Sequence, residues 1–484
     1  MDLYISQKID RISSLGTITK SHSPFAHMPC PVDVSRVQDF ILQDIAGDVL
    51  KKKFRVQTCL KRKIDKNKLV NVCFNESTSK AHYGNVIRCG SVWVCPVCAK
   101  KITEFRKNEL KQITEKWSSG ITIKKLESKP KDFIGPKNLL IGNTIDKGYL
   151  YLLTLTMPHY AFQSLSLLKE KLKIASTYFF GGKINEKMFQ NQLGKHFHVK
   201  NTEVTYGQNG WHPHHHILIF SDKYLNIKEF SSIREKLADH WSKSLNHAGI
   251  RKLKGDEKYI ACDLQDGTYA SDYVAKWGIE SELTKGHIKK GRDSYTPFDF
   301  LRLIQSDTNV FDKDPSDLFR EFADAFKGVP QLSYSRGCKF AHSLEDKDDD
   351  EIMNQTLDEA IFLRDVEDYA FKLICKYKKR AEFLDLVTQD HLTGSFSADS
   401  LINDLSDLEQ SNFENEVLPI MNNNSDSLAR SSLPQKSTPW LSSKEFLWLE
   451  QLKKENVTKI DIDESLLPLI AEHLAWLESE RLSI

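Results

Sequence analysis

The stretch GWHPHHHILIF, residues 210–220, decides how the centre of this chain is read. Four histidines in five positions, broken by Pro213, run into an apolar tail. That tail predicts a β-strand, in which alternate side chains share a face. His212, His214 and His216 then point one way and His215 the other, so a metal site can draw on the first three but not on all four. Upstream, HFHVKNTEVTYG (196–207) reads as a second strand, and Gly207-Gln208-Asn209-Gly210 as the turn between them. Closing the hairpin there pairs Tyr206 with Trp211, so paired positions sum to about 417 and Glu203 falls directly opposite His214. Two imidazoles and one carboxylate leave coordination positions open for a substrate and suit several divalent ions. The bland alternative is a set of histidines on a wet sheet face.

Working outward, GYLYLLTLTMPH (148–159) is a strong strand pattern ended by Pro158. SLLKEKLKIASTYFF (166–180) and IKEFSSIREKLADHWSKSLNHAG (227–249) read as helices, and GTYASDYVAKWGIESEL (267–283) as a third. Strands alternating with helices around one antiparallel hairpin predict an α+β domain on an antiparallel sheet. On the last helix Tyr269 and Tyr273 share a side, with Lys276 three residues beyond. Read without other context, both tyrosines pack as well in a core.

Cys95 and Cys98 form a CPVC knuckle of the zinc-binding kind, and Cys89 lies close enough to join. The fourth ligand of a tetrahedral structural zinc is Cys59 or Cys73; spacing favours neither. Cys262, Cys338 and Cys375 are isolated and read as small buried apolar residues. The whole chain of 484 residues has a net charge of only +2, but residues 51–300 hold 44 Lys and Arg against 24 Asp and Glu, a net of +20. Such segregation suits a polyanionic partner. Basic runs such as LKRKIDKNK (60–68) offer phosphate contacts, and Trp93 and Trp211 are candidates for stacking on unpaired bases. No apolar run is long enough to span a bilayer and no signal peptide opens the chain, so the expected location is the cytoplasm.

In combination, these motifs resemble the HUH endonucleases. NGWHPHHHILIF (209–220) looks like the version in rolling-circle replication initiators of plasmids, YLLTLTMPH (151–159) like their first motif, and YVAKW (273–277) with ELTKGHIKKGRDSYTPFDFL (282–301) like their third. CGSVWVCPVC (89–98) resembles a cysteine block found in one subgroup, and the similarity fades through QLSYSRG (331–337). The resemblance implies a ferredoxin/RRM-like antiparallel core with helices packed on the sheet. It selects His214 and His216, with Glu203, as ligands of catalytic Mg²⁺ or Mn²⁺, leaving His212 at the margin and His159 as a neighbour. It makes Tyr273 the nucleophile that joins the 5′ end of nicked origin DNA, with Lys276 on the scissile phosphate and Tyr269 as a helper. Glu280 and Glu282 are alternatives for ending the cycle. It also favours Cys59 over Cys73 for Zn²⁺.

The expected domains are a loosely ordered arm (1–50), a Cys-rich zinc module with a basic helix (51–125), the HUH nuclease domain (140–345) and an acidic, mainly helical accessory region (346–484). A linker is expected near 411–440. The expected partner is single-stranded or supercoiled plasmid origin DNA, with a host helicase or polymerase as a candidate for the acidic region, and neither membrane nor small-molecule cofactor. Rival readings are a related transposase or relaxase, and a zinc-containing DNA-binding regulator without catalysis.

Overall fold

Local preference and burial together build the central sheet. β1 (Tyr149–Leu155), β2 (Lys195–Gly207), β3 (Gly210–Ser221), β4 (Cys262–Asp266), β5 (Ser294–Tyr295) and β6 (Leu332–Tyr334) form it, in the order β6-β2-β3-β1-β4 with β5 paired to β2. Every pairing is antiparallel. The principal helices of the same unit are α1 (Val34–Leu50), α2 (Pro96–Ser118), α3 (Leu165–Phe180), α4 (Ile227–His247), α5 (Pro297–Gln305) and α6 (Pro315–Phe326). The computed structural model describes residues 33–122, 144–182, 185–267, 294–355 and 360–423. The architecture is α+β with antiparallel sheets, and β1-α3-β2-β3-α4-β4 is a βαββαβ succession.

The β2–β3 hairpin has the expected register: Tyr206 faces Trp211, Glu203 faces His214 and Asn201 faces His216. Gly210 takes φ +84° directly after the two turn residues, and a Cβ there would lie 2.8 Å from Ala161 Cα, so only glycine fits. α3 starts at Ser164, whose hydroxyl accepts from Leu167 N. α4 starts with a reciprocal cap between Asn226 and Glu229.

Parity divides the sheet. One face carries Leu150, Leu152 and Thr154 of β1, then His216, Leu218 and Phe220 of β3, then Phe197, Val199, Asn201 and Glu203 of β2. α2 covers its apolar half, burying Leu110, Ile113 and Trp117 against Leu150, Leu152, Phe197, Val199, Leu218 and Phe220. Trp117 Nε1 is satisfied by the carbonyls of Tyr149 (3.2 Å) and Ser221 (3.1 Å). Each such buried side chain contributes about 1.5–3 kcal/mol. The opposite face meets α3 and α4: His198 stacks on Phe180 at 5.0 Å, and Phe179 packs edge-on against Trp241.

The domain boundaries differ from those expected. Contacts divide the chain into residues 1–62 with 87–360, and residues 63–86 with 361–484. Within the expected arm, residues 34–50 form α1, capped by Asp33 and burying Phe40, Gln43, Ala46, Gly47 and Leu50 at helical spacing. The Ser, Pro and Asp content of the residues before it obscured that periodicity. The cysteines form no separate module, because α2 runs from the CPVC knuckle straight onto the sheet. The acidic region does not start its own unit at 346, since that unit begins at 361 and takes residues 63–86 as well. In it, strand Val70–Asn75 pairs with Lys80–Gly84 and with Ile361–Val366. Helices Asp368–Lys376, Arg380–Thr393 and Ser397–Asn423 follow, the last reaching into the expected linker. Tyr83 packs there between Phe371 and Phe383. Among the described residues, no helix is long and apolar enough to cross a membrane.

Candidate metal centres

Where α2 stops covering the sheet face, the polar residues begin. His214 and His216 aim Nε2 at one Glu203 oxygen, at 3.4 and 3.6 Å, and one ligand atom from each of the three lies within 4.8 Å of the others. Two ligand bonds of about 2.1 Å at tetrahedral angles span about 3.4 Å, so the trio is spaced to share one ion. It is half-buried, with 34% of the Glu203 side chain exposed, which leaves approach open to a substrate.

Neighbours orient each ligand. His214 Nδ1 lies 3.3 Å from the His212 carbonyl, and His216 Nδ1 lies 3.1 Å from Thr154 Oγ1. These contacts fix the orientation of both rings, so that each Nε2 faces Glu203. Asn201, itself buried, donates Nδ2–H to the other Glu203 oxygen at 3.2 Å. Burial pushes the Glu203 carboxyl up, but the His214 and His216 imidazoles outweigh it and hold the group at about 2. Glu203 is therefore anionic at neutral pH.

The other two histidines separate as parity requires. His215 is buried on the opposite face, its Nδ1 3.0 Å from Thr202 Oγ1. His212 is on the ligand face but outside the trio, stacked on His159 at 4.7 Å and 14°. Burial, then His214 and His159, push its pKa down to about 3.

The second centre is built from Cys59, Cys89, Cys95 and Cys98, all buried. Sγ of Cys98 lies 3.6 Å from both Cys59 and Cys89, and Cys95 lies 3.9 Å from Cys59. Four sulfurs about 2.3 Å from a tetrahedral zinc are about 3.8 Å apart, so the group has the spacing of a structural zinc site. Gln43 of α1 donates to Cys95 Sγ at 3.1 Å and supports it from outside. Cys73 lies in the other unit, half-buried beside Asn71. Cys262 and Cys338 are fully buried, and burial pushes their thiols up; Cys375 is only half-buried.

Sequence reading missed Thr154, Asn201 and Gln43. The position sum that pairs Glu203 with His214 also pairs Asn201 with His216, so Asn201 was within reach of the same argument. Tyr269, Tyr273, Lys276, Glu280 and Glu282 lie outside the described residues. Trp211 is buried with Nε1 on Glu321 and offers no free ring, whereas Trp93 is half-buried, donates to the Val329 carbonyl and packs on Phe326. Comparison with protein-family models, curated proteins and solved structures found no match.

Proposed function

We propose that this protein is a rolling-circle replication initiator of the HUH type, which nicks and rejoins single-stranded plasmid origin DNA in the cytoplasm. The observation that carries the reading is the convergence of His214, His216 and Glu203 on one point of a half-open sheet face. The βαββαβ succession supports it, being that of the ferredoxin-like core the motif resemblance implies. So does the four-cysteine centre, which suits Zn²⁺.

In this reading His214, His216 and Glu203 hold Mg²⁺ or Mn²⁺. When bound, the ion supplies Lewis-acid polarisation of a phosphoryl oxygen. Thr154 and Asn201 hold the imidazole and the carboxylate in place. Tyr273 attacks the scissile phosphorus, forming a phosphotyrosine bond to the 5′ end and releasing a 3′ hydroxyl as primer. Lys276 neutralises the phosphate, and Tyr269 is the helper.

The test uses single-stranded oligonucleotides tiled across a circular replicon that carries this coding sequence, with Mg²⁺ or Mn²⁺. A covalent protein–DNA adduct on denaturing gels is expected, absent in Tyr273→Phe and in the His214→Ala, His216→Ala double variant. DNA binding with no adduct under any divalent metal would overturn the reading in favour of a non-catalytic zinc regulator. An adduct kept by Tyr273→Phe and lost by Tyr269→Phe would reassign the nucleophile.

A further inference from the structure

We infer that Tyr160 and Phe162 form a stacking platform for unpaired bases of the strand whose phosphate lies at the His214–His216–Glu203 centre; this rests on the reading above. The two rings lie 5.7 Å apart and within 8° of parallel, with Phe162 86% and Tyr160 48% exposed. Such exposure of a large aromatic ring forgoes the gain of burial. It is held there by a built turn: Gln163 N donates to the Tyr160 carbonyl at 3.0 Å, and Tyr160 N donates to Gln163 Oε1 at 2.9 Å.

The turn is anchored to the metal face at two points. Ala161 packs against Gly210 at the start of β3. His159 stacks on His212, whose ring lies 5.1 Å from that of His214. An exposed basic run is alongside. Arg251 interacts with the Tyr160 phenol while paired to Glu257 at 2.7 Å, and Lys252 and Lys254 follow, both exposed.

Flat rings beside lysines, next to a centre suited to a phosphate, match the chemistry of single-stranded nucleic acid, in which base faces stack and phosphates pair with cations. The ring spacing sets the mode. Inserting a base between two rings needs two contact gaps, about 7 Å in all, so a base stacks on the outer faces and not between them.

The test is binding of the full-length protein to a (dT)20 oligonucleotide and to a 20-base-pair duplex over a salt series. Phe162→Ala is expected to weaken single-strand binding about tenfold, with duplex binding and the salt slope unchanged. Phe162→Trp is expected to restore it. Lys252→Ala with Lys254→Ala is expected to flatten the salt slope by roughly 0.7 per lysine. Wild-type affinity in Phe162→Ala, or equal losses on single strand and duplex, would overturn the platform. Covalent nicking kept alongside wild-type Phe162→Ala binding would sink the platform alone, whereas a Phe162 effect without nicking under any metal would sink the nuclease reading alone.

Discussion

Thr154 faces His216 across the β1–β3 pairing, and its hydroxyl lies 3.1 Å from the imidazole Nδ1. It is a polar residue in an otherwise apolar strand face, after Leu150 and Leu152. In the proposed function His216 is a metal ligand, and removing the outer partner of such a histidine costs roughly 10–100-fold in metal affinity. Thr154→Val, which keeps the side-chain shape, is therefore expected to weaken Mn²⁺ binding by about that factor while leaving the melting temperature nearly unchanged. Calorimetric titration with Mn²⁺ checks it, and Asn201→Leu is expected to act in the same direction through Glu203.

The four-sulfur group predicts one tightly held zinc per chain. Cys59→Ser is expected to lose it and to unfold more readily, whereas Cys73→Ser keeps it, because Cys73 belongs to the other unit. Metal analysis of the purified variants, with thermal melts before and after chelation, reads both effects. Zinc retained by Cys59→Ser would show that three thiolates and an outside ligand suffice.

Gly148 abuts Trp117. A Cβ there would come within 2.4 Å of the indole ring and of the Trp117 carbonyl oxygen. Because Trp117 is fully buried and fixed by two carbonyls, it cannot move aside cheaply. Gly148→Ala is expected to destabilise by about 1–3 kcal/mol, as overpacking does. Urea denaturation measures it, and the metal content of the folded fraction should remain that of the wild type.

Lys195 is a liability at neutral pH. Burial pushes its pKa down to about 8, although Phe180 and Phe189 offer their ring faces at 4.9 and 5.1 Å. Between pH 8 and about 10.5 the unfolded chain holds a proton that the folded chain has released, so this residue makes stability rise with pH across that window. Lys195→Met is expected to stabilise the protein at pH 7 by about 1–2 kcal/mol, the shift being discounted for the part of the side chain that water reaches. Its advantage should shrink to nothing above pH 10.5. An advantage independent of pH would show that packing and not charge is the cause.

The parity of the histidine strand, the hairpin register and the Glu203–His214 pair were legible in the residues alone. Each depends on the two-residue period of a strand and on the position of one turn, so neighbours in sequence suffice. The helices at 165–180 and 227–247 were legible for the same reason, through apolar spacing. The contributions of α1 and of residues 63–86 were not, because each depends on partners far away in the chain. Spacing did not separate Cys59 from Cys73, and only the motif resemblance favoured Cys59; the tertiary structure brings Cys59 to the other three sulfurs, which converge through the packing of separated segments. It alone revealed Thr154 behind His216, because β1 lies some sixty residues from β3 and meets it only when the sheet forms. It alone decided that α2 covers the apolar half of the ligand face and stops short of the histidines. Local periodicity determines which side chains share a face; folding of the whole chain determines which faces are covered and which are left open to a substrate.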